Sequence, residues 1–170
     1  NTTKTPSGVM IHFGSVIQGE SINVGDSVST KINADRRRAI MRNHTAAHLL
    51  QAALRAKLGT HVEQAGQLVN DSEVRFDFTH FSALTAEEIA DVESKVNDII
   101  LSAVPVTTTE MPIEEAKAQG AMALFGEKYG EEVRVVSMGD FSKELCGGTH
   151  VKSTKDIGMF KILSESGVAA

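Results

Sequence analysis

His44 and His48 stand four positions apart in NHTAAHLL, and Cys146 and His150 stand four apart in ELCGGTH. Imidazole nitrogens and a thiolate sulfur are donors that borderline and soft metal ions accept, and three imidazoles with one thiolate suit a tetrahedral Zn²⁺. On a helix, residues at i and i+4 project from one face a turn apart, so His44 and His48 reach a common cation. Gly147 and Gly148 separate the second pair and make a helix there unfavourable. Glycines reach backbone angles closed to other residues, so the loop is expected to fold back and turn Cys146 and His150 towards one point. They also let a substrate approach the bare backbone. Singly, each pair is a weak signal, because HxxxH recurs on helices by chance and a lone cysteine is most often a small buried hydrophobe. The conjunction of both pairs carries the assignment. A zinc protease is excluded by Thr45, which occupies the glutamate position of H-E-x-x-H. His12, His61 and His80 have no such partners and read as strand or surface residues.

The elements that must position these donors follow from periodicity. Asp35 sits as the N-cap of a long helix, RRRAIMRNHTAAHLLQAALRAKL, which Gly59 ends; Leu50, Leu54 and Leu58 share one stripe of it. Before it, alternation at Val9, Ile11, Phe13 and Ile17, and again at Val28, Thr30 and Ile32, predicts strands of a partial, barrel-like β module over 1–34. After it, HVEQAGQLV and EVRFDFT are strands joined by Asn70-Asp71-Ser72. Thr85 and Glu88 form a capping box that opens an amphipathic helix to about Ser102, with Ile89, Val92, Val96, Ile99 and Ile100 facing inward. VPVTTTEM is a strand, PIEEAKAQ a short helix ended by Gly120, EVRVVSM a strand, LCGGTH a tight loop and GMFKILSES a closing strand. Without a regular βαβ alternation, the fold class is α+β: a mixed or antiparallel sheet with long helices over 35–170.

Composition sets the outer limits. The chain has 170 residues, 41% apolar and 23% charged, ordinary for a globular domain with a real core. No apolar run is long enough to span a membrane. One cysteine forms no internal disulfide and fits a reducing, cytoplasmic compartment. The start, NTTKTPSGVM, reads as the beginning of an excised piece. A net charge of −5 argues against nucleic-acid binding by bulk attraction, so any such contact is local.

Three stretches carry a family resemblance: RNHTAAHLLQAALRAKLGTHVEQAGQLVNDSEVRFDF, GAMALFGEKYGEEVRVVSMGDFSKELCGGTHV and GMFKILSESGVAA. Together they resemble the editing domain of bacterial-type alanyl-tRNA synthetases from about Arg36 onward, and the preceding β segment resembles the module before that domain. The threonyl-tRNA synthetase editing domain is similar, but has a proline where this chain has Thr149. The resemblance implies a hydrolase that removes serine or glycine wrongly attached to the alanine tRNA. By motif it implies His44, His48, Cys146 and His150 as the zinc site, with Cys146 also at the catalytic centre. Gln64, in H-V-x-Q-x-G, is implied as a catalytic pocket residue, and Gly147 and Gly148 as substrate-binding backbone. The implied partners are the tRNA(Ala) acceptor end and the rest of the synthetase chain, with no membrane. The aminoacylation domain lies outside this chain, so ATP binding and tRNA charging are not expected of it.

The need for such a domain stands on its own. A pocket that admits alanine cannot exclude the smaller glycine, and it rejects serine only weakly, so a second hydrolytic site is required. Hydrolysing the ester needs a placed water, a stabilised oxyanion and recognition of the amino acid. Whether zinc orients the water or ribose hydroxyl, or only fixes the pocket walls, stays open at this level. A zinc-stabilised module that merely grips RNA is a rival of another class. Arg36, Arg37, Arg38 and Arg42 are candidates for tRNA phosphates or for a solvated helix start, and Tyr129 in FGEKYG for stacking or a turn.

Overall fold

The computed structural model describes residues 2–19, 21–123 and 129–167. Two compact units emerge, Asn1–Ile32 and Asn33–Ala170. The first contains one antiparallel hairpin, β1 (Thr2–Lys4) and β2 (Met10–His12), in the register Thr2↔His12 and Lys4↔Met10. Its turn closes through Gly8 N–H on Thr5 O at 2.9 Å, with Gly8 at φ 88°. The strand expected at Val28–Ile32 does not form. Val28 and Ile32 are exposed, and no edge within the described part of the unit pairs with them. Alternation alone makes no strand without a ladder partner.

The second unit is α+β. Helix α1 (Ala34–Leu58) is capped by Asn33, whose Oδ1 accepts from Arg36 N at 3.0 Å. Asp35 therefore lies inside the first turn, where its charge complements the helix dipole. Gly59 ends the helix at φ 118°. Hairpin β3 (Gln64–Val69)/β4 (Val74–Phe78) follows. Its connection is fixed by Asn70 Oδ1, which accepts from the Ser72 and Glu73 N–H groups. Helix α2 (Ala86–Leu101) opens on the expected Thr85/Glu88 capping box. A three-stranded antiparallel sheet completes the unit in the order β5 (Val106–Pro112), β6 (Glu132–Met138), β7 (Ser142–Leu145), with α3 (Ile113–Ala118) between β5 and β6.

The core joins Leu49, Ala53 and Leu54 of α1 to Val92, Val96 and Ile100 of α2 and to Val136 and Met138 of β6. Its centre on α1 is Leu49, fully buried, while Leu50 and Leu58 only flank it. On β6, strand alternation turns Val133 and Val135 to a second cluster with Ala116 and Leu145, and Val136 and Met138 to the main core. Each fully buried aliphatic side chain contributes about 1.5–3 kcal/mol relative to exposure.

The closing strand expected at 158–166 is absent. A 3₁₀ turn, Thr154–Ile157, precedes an extended segment whose backbone bonds to α2 side chains instead of to a strand. Asn97 Oδ1 accepts from Phe160 N and its Nδ2 donates to Phe160 O, both at 2.9 Å, and Glu93 Oε2 accepts from Ile162 N at 2.8 Å. Two half-buried polar side chains of a helix, Asn97 and Glu93, have taken the place of a neighbouring strand.

Candidate metal centre

α1 carries His48 into the interior at 7% exposure and His44 half-buried one turn before it, with ring centroids 5.2 Å apart. The loop after β7 brings the His150 ring to 4.3 Å from His44 and 4.9 Å from His48. Cys146 Sγ lies 3.6 Å from His44 Nε2 and 3.4 Å from His150 Nε2. One donor atom from each of the four residues falls within 4.8 Å of the others. In a tetrahedral zinc site with Zn–N near 2.05 Å and Zn–S near 2.3 Å, sulfur and nitrogen ligands stand about 3.6 Å apart. The two sulfur–nitrogen separations match that figure, and the widest pair needs a contraction on the order of an ångström. The donor set and its spacing thus fit a metal ion.

The glycines act differently from the sequence expectation. Neither Gly147 nor Gly148 is among the positive-φ glycines. A Cβ on Gly148 would meet His44 Cε1 at 2.1 Å and Nδ1 at 2.5 Å, so its missing side chain is the space the His44 ring occupies. A Cβ on Gly147 would meet nothing within 4 Å. The Gly148 N–H is directed at Cys146 Sγ at 3.4 Å, which supports a thiolate.

Arg134 holds the loop in place. Its Nη1 donates to Cys146 O and Gly148 O, both at 2.7 Å, while its own carbonyl accepts from Cys146 N at 2.9 Å. Glu144, 4% exposed, places Oε2 at 2.7 Å from His48 Nδ1, and its Oε1 accepts from Ser142 Oγ at 3.1 Å. The His48 contact is an ion pair without hydrogen-bond alignment, since His48 Nδ1 has no properly oriented acceptor. Thr45, fully buried, lies 3.2 Å from His150 Nδ1 and accepts from Val151 N at 3.2 Å.

Charge follows this geometry. Burial disfavours the Cys146 thiolate, but His150, His44, His48 and the Gly148 N–H outweigh it and bring the thiol down to about 3. Burial also disfavours charge on His48, yet the Cys146 sulfur and the Glu144 carboxylate push it up to about 9. His150 is held below the ordinary imidazole value, chiefly by burial.

Gln64 begins β3 where the ladder with β4 shifts register, a bulge-like feature that re-aims side chains. With His44, His48 and Cys146 it lines a recess of about 20 Å³, room for about one water. A larger cavity of about 390 Å³, lined by Arg55, Phe141 and Glu144 among others, contains none of the four donors. His61 and His80, read from sequence as unpartnered, face each other at 2.9 Å (Nε2 to Nδ1), with Phe81 stacked on His61; neither joins the cluster. Arg36 pairs with Asp71 at 3.4 Å and Arg38 with Asp35, so two of the four arginines already have acidic partners. Most of the FGEKYG stretch, 125–128, lies outside the described residues.

Glu144, Arg134 and Thr45 escaped the sequence reading. Glu144 did carry a signal, because strand period places it on the same face as Cys146, two residues on. Arg134 had none, its role depending on a β6–loop contact that sequence spacing does not encode.

A part-buried centre of three histidines and one cysteine on an α+β unit defines the class: a domain built around a candidate metal site. Residues 133–170 match the threonyl and alanyl tRNA synthetase second additional domain. The chain is 60% identical to alanine–tRNA ligase 1 of Lachnoclostridium phytofermentans, over all of this chain and 19% of that protein. It is 54% identical to the alanine–tRNA ligase of Clostridioides difficile, again over all of this chain and 19% of the relative, and 56% identical to that of Dichelobacter nodosus, over 99% and 19%. The chain thus spans about a fifth of these relatives' length. Over its whole length the chain is similar to one segment of alanine–tRNA ligases, and residues 133–170 carry the match to the second additional domain.

Proposed function

We propose that this segment is the proofreading domain of an alanine–tRNA ligase, a cytoplasmic deacylase that hydrolyses Ser-tRNA(Ala) and Gly-tRNA(Ala). The observation that carries the reading is the convergence of His44, His48, Cys146 and His150, the first three of which line, with Gln64, a recess the size of one water. Water adds to the ester carbonyl, the bond from carbonyl carbon to ribose oxygen breaks, and that oxygen leaves with a proton. The products are a free amino acid and an intact tRNA end.

His44, His48, Cys146 and His150 would hold a Zn²⁺, which when bound would supply a fixed positive charge beside the recess. Gln64 offers an amide that accepts from the water or from the substrate's ammonium group. Cys146, as a thiolate, holds charge at the site and anchors the loop. The open backbone at Gly147 leaves room for the substrate, while the Gly148 N–H is engaged with sulfur.

The test is incubation with Ser-, Gly- and Ala-tRNA(Ala), alongside Cys146→Ala with its zinc content measured. Hydrolysis of the first two and sparing of the third is expected, with zinc and activity lost together in the variant. Activity that persists after zinc is lost would end any metal role. Absence of hydrolysis would favour an RNA-gripping module, and preference for Ser-tRNA(Thr) a threonyl-type deacylase.

A further inference from the structure

We infer that Thr45 is a positioning residue that fixes the His150 ring in its Nδ1–H tautomer, so that Nε2 presents its lone pair to the metal. The inference deepens the metal-centre reading and rests on it. It comes from accounting for one buried hydroxyl. A threonine hydroxyl has one hydrogen to donate and two lone pairs to fill. Thr45 Oγ1 donates to Met41 O, one helical turn back, at 2.9 Å. Its hydrogen is thereby spent.

Two further groups address the same oxygen: Val151 N–H at 3.2 Å and His150 Nδ1 at 3.2 Å. Both must donate, so Nδ1 carries the ring proton. In the reverse arrangement the hydroxyl would point at Nδ1, leaving the Thr45 and Met41 oxygens 2.9 Å apart with no hydrogen between them. Buried oxygens do not hold that separation, since lone pairs then face each other at low dielectric. With Nδ1 protonated, it is Nε2 that faces Cys146 Sγ at 3.4 Å, across a contact that one shared proton fills without metal and that a metal ion would take over. Thr45 is fully buried and His150 is 9% exposed, so no bulk water replaces the hydroxyl if it is lost.

Thr45 also lies on α1, next to His44, while its two donors lie on the loop more than a hundred residues later. One hydroxyl therefore sets both the ring's protonation pattern and the seating of the loop on the helix. Partners of this kind change metal affinity by about 10–100-fold when removed.

Two variants and one spectrum test the inference. In metal-free wild-type chain at about pH 8, above the ordinary imidazole value of about 6.5, long-range ¹H–¹⁵N correlations of the His150 ring should show Nδ1–H. A ring with Nε2–H and an unprotonated Nδ1 there would overturn the inference whether or not the chain binds zinc. Thr45→Val, which keeps the shape and removes the hydroxyl, should lose the single tautomer and weaken zinc binding about 10–100-fold. Thr45→Ser should restore both to within about threefold, on the hydroxyl accounting above. Unchanged zinc affinity in Thr45→Val, or failure of the serine to rescue, would also overturn it. A wild-type chain that shows Nδ1–H but takes up no zinc would leave the tautomer standing and sink the metal reading alone.

Discussion

The two ligand pairs share one sequence offset and reach the cluster by different means. His44 and His48 are placed by helix regularity: caps at Asn33 and Gly59 and a packed face centred on Leu49 settle where both rings go. Cys146 and His150 sit on a loop with no repeating geometry, and each constraint on them comes from elsewhere in the chain. Arg134 grips two loop carbonyls, Thr45 receives the Val151 N–H and the His150 ring, and Gly148 yields its side-chain volume to His44. A helical pair is thus robust to its neighbours, and a loop pair is only as rigid as the contacts that hold it.

Substitutions that tell these modes apart should rank accordingly. Gly148→Ala should have the largest effect, because the added carbon occupies the His44 ring position. Zinc affinity measured against a competing chelator should fall at least about 100-fold, the upper end for changes around a ligand. Gly147→Ala, with open space at its Cβ, should stay within a few-fold of wild type and serves as the control.

Glu144→Gln keeps the shape and removes the charge facing His48. The same assay should show an affinity loss of about 10–100-fold. Arg134→Met should loosen the loop by deleting two charge-assisted bonds. Chemical denaturation should show a destabilisation of about 1.5–3 kcal/mol, and zinc affinity should fall with it. Asn33→Ala should have the smallest effect on the site. Removing the cap should cost about 1 kcal/mol of stability while zinc affinity stays nearly unchanged, since helix geometry survives a frayed first turn. A large affinity loss in Asn33→Ala would contradict the distinction between the two pairs.

The same distinction explains what was legible in the sequence. Helices α1 and α2, the β3–β4 hairpin and the capping box at Thr85 were readable because period and cap chemistry are local. The four donors were readable because their types and spacing are rare in combination. What escaped depends on distant partners. The alternation at Val28, Thr30 and Ile32 found no ladder, and residues 158–166 bonded to Asn97 and Glu93 rather than to a strand. The glycines of CGGTH were read for backbone angle, when Gly148 is required for the volume of a ring arriving from α1. Even β7 was lost, because SKEL is too short and too polar to announce a strand whose buried Ser142 and Glu144 bond to each other.

The central claim is that three imidazoles and one thiolate from two distant segments bind a single metal ion. X-ray absorption at the zinc edge of the zinc-loaded chain tests it most directly. One ion per chain is expected, with three nitrogen neighbours near 2.05 Å and one sulfur near 2.3 Å. A first shell without sulfur, or one of five or six oxygen and nitrogen neighbours, would contradict it.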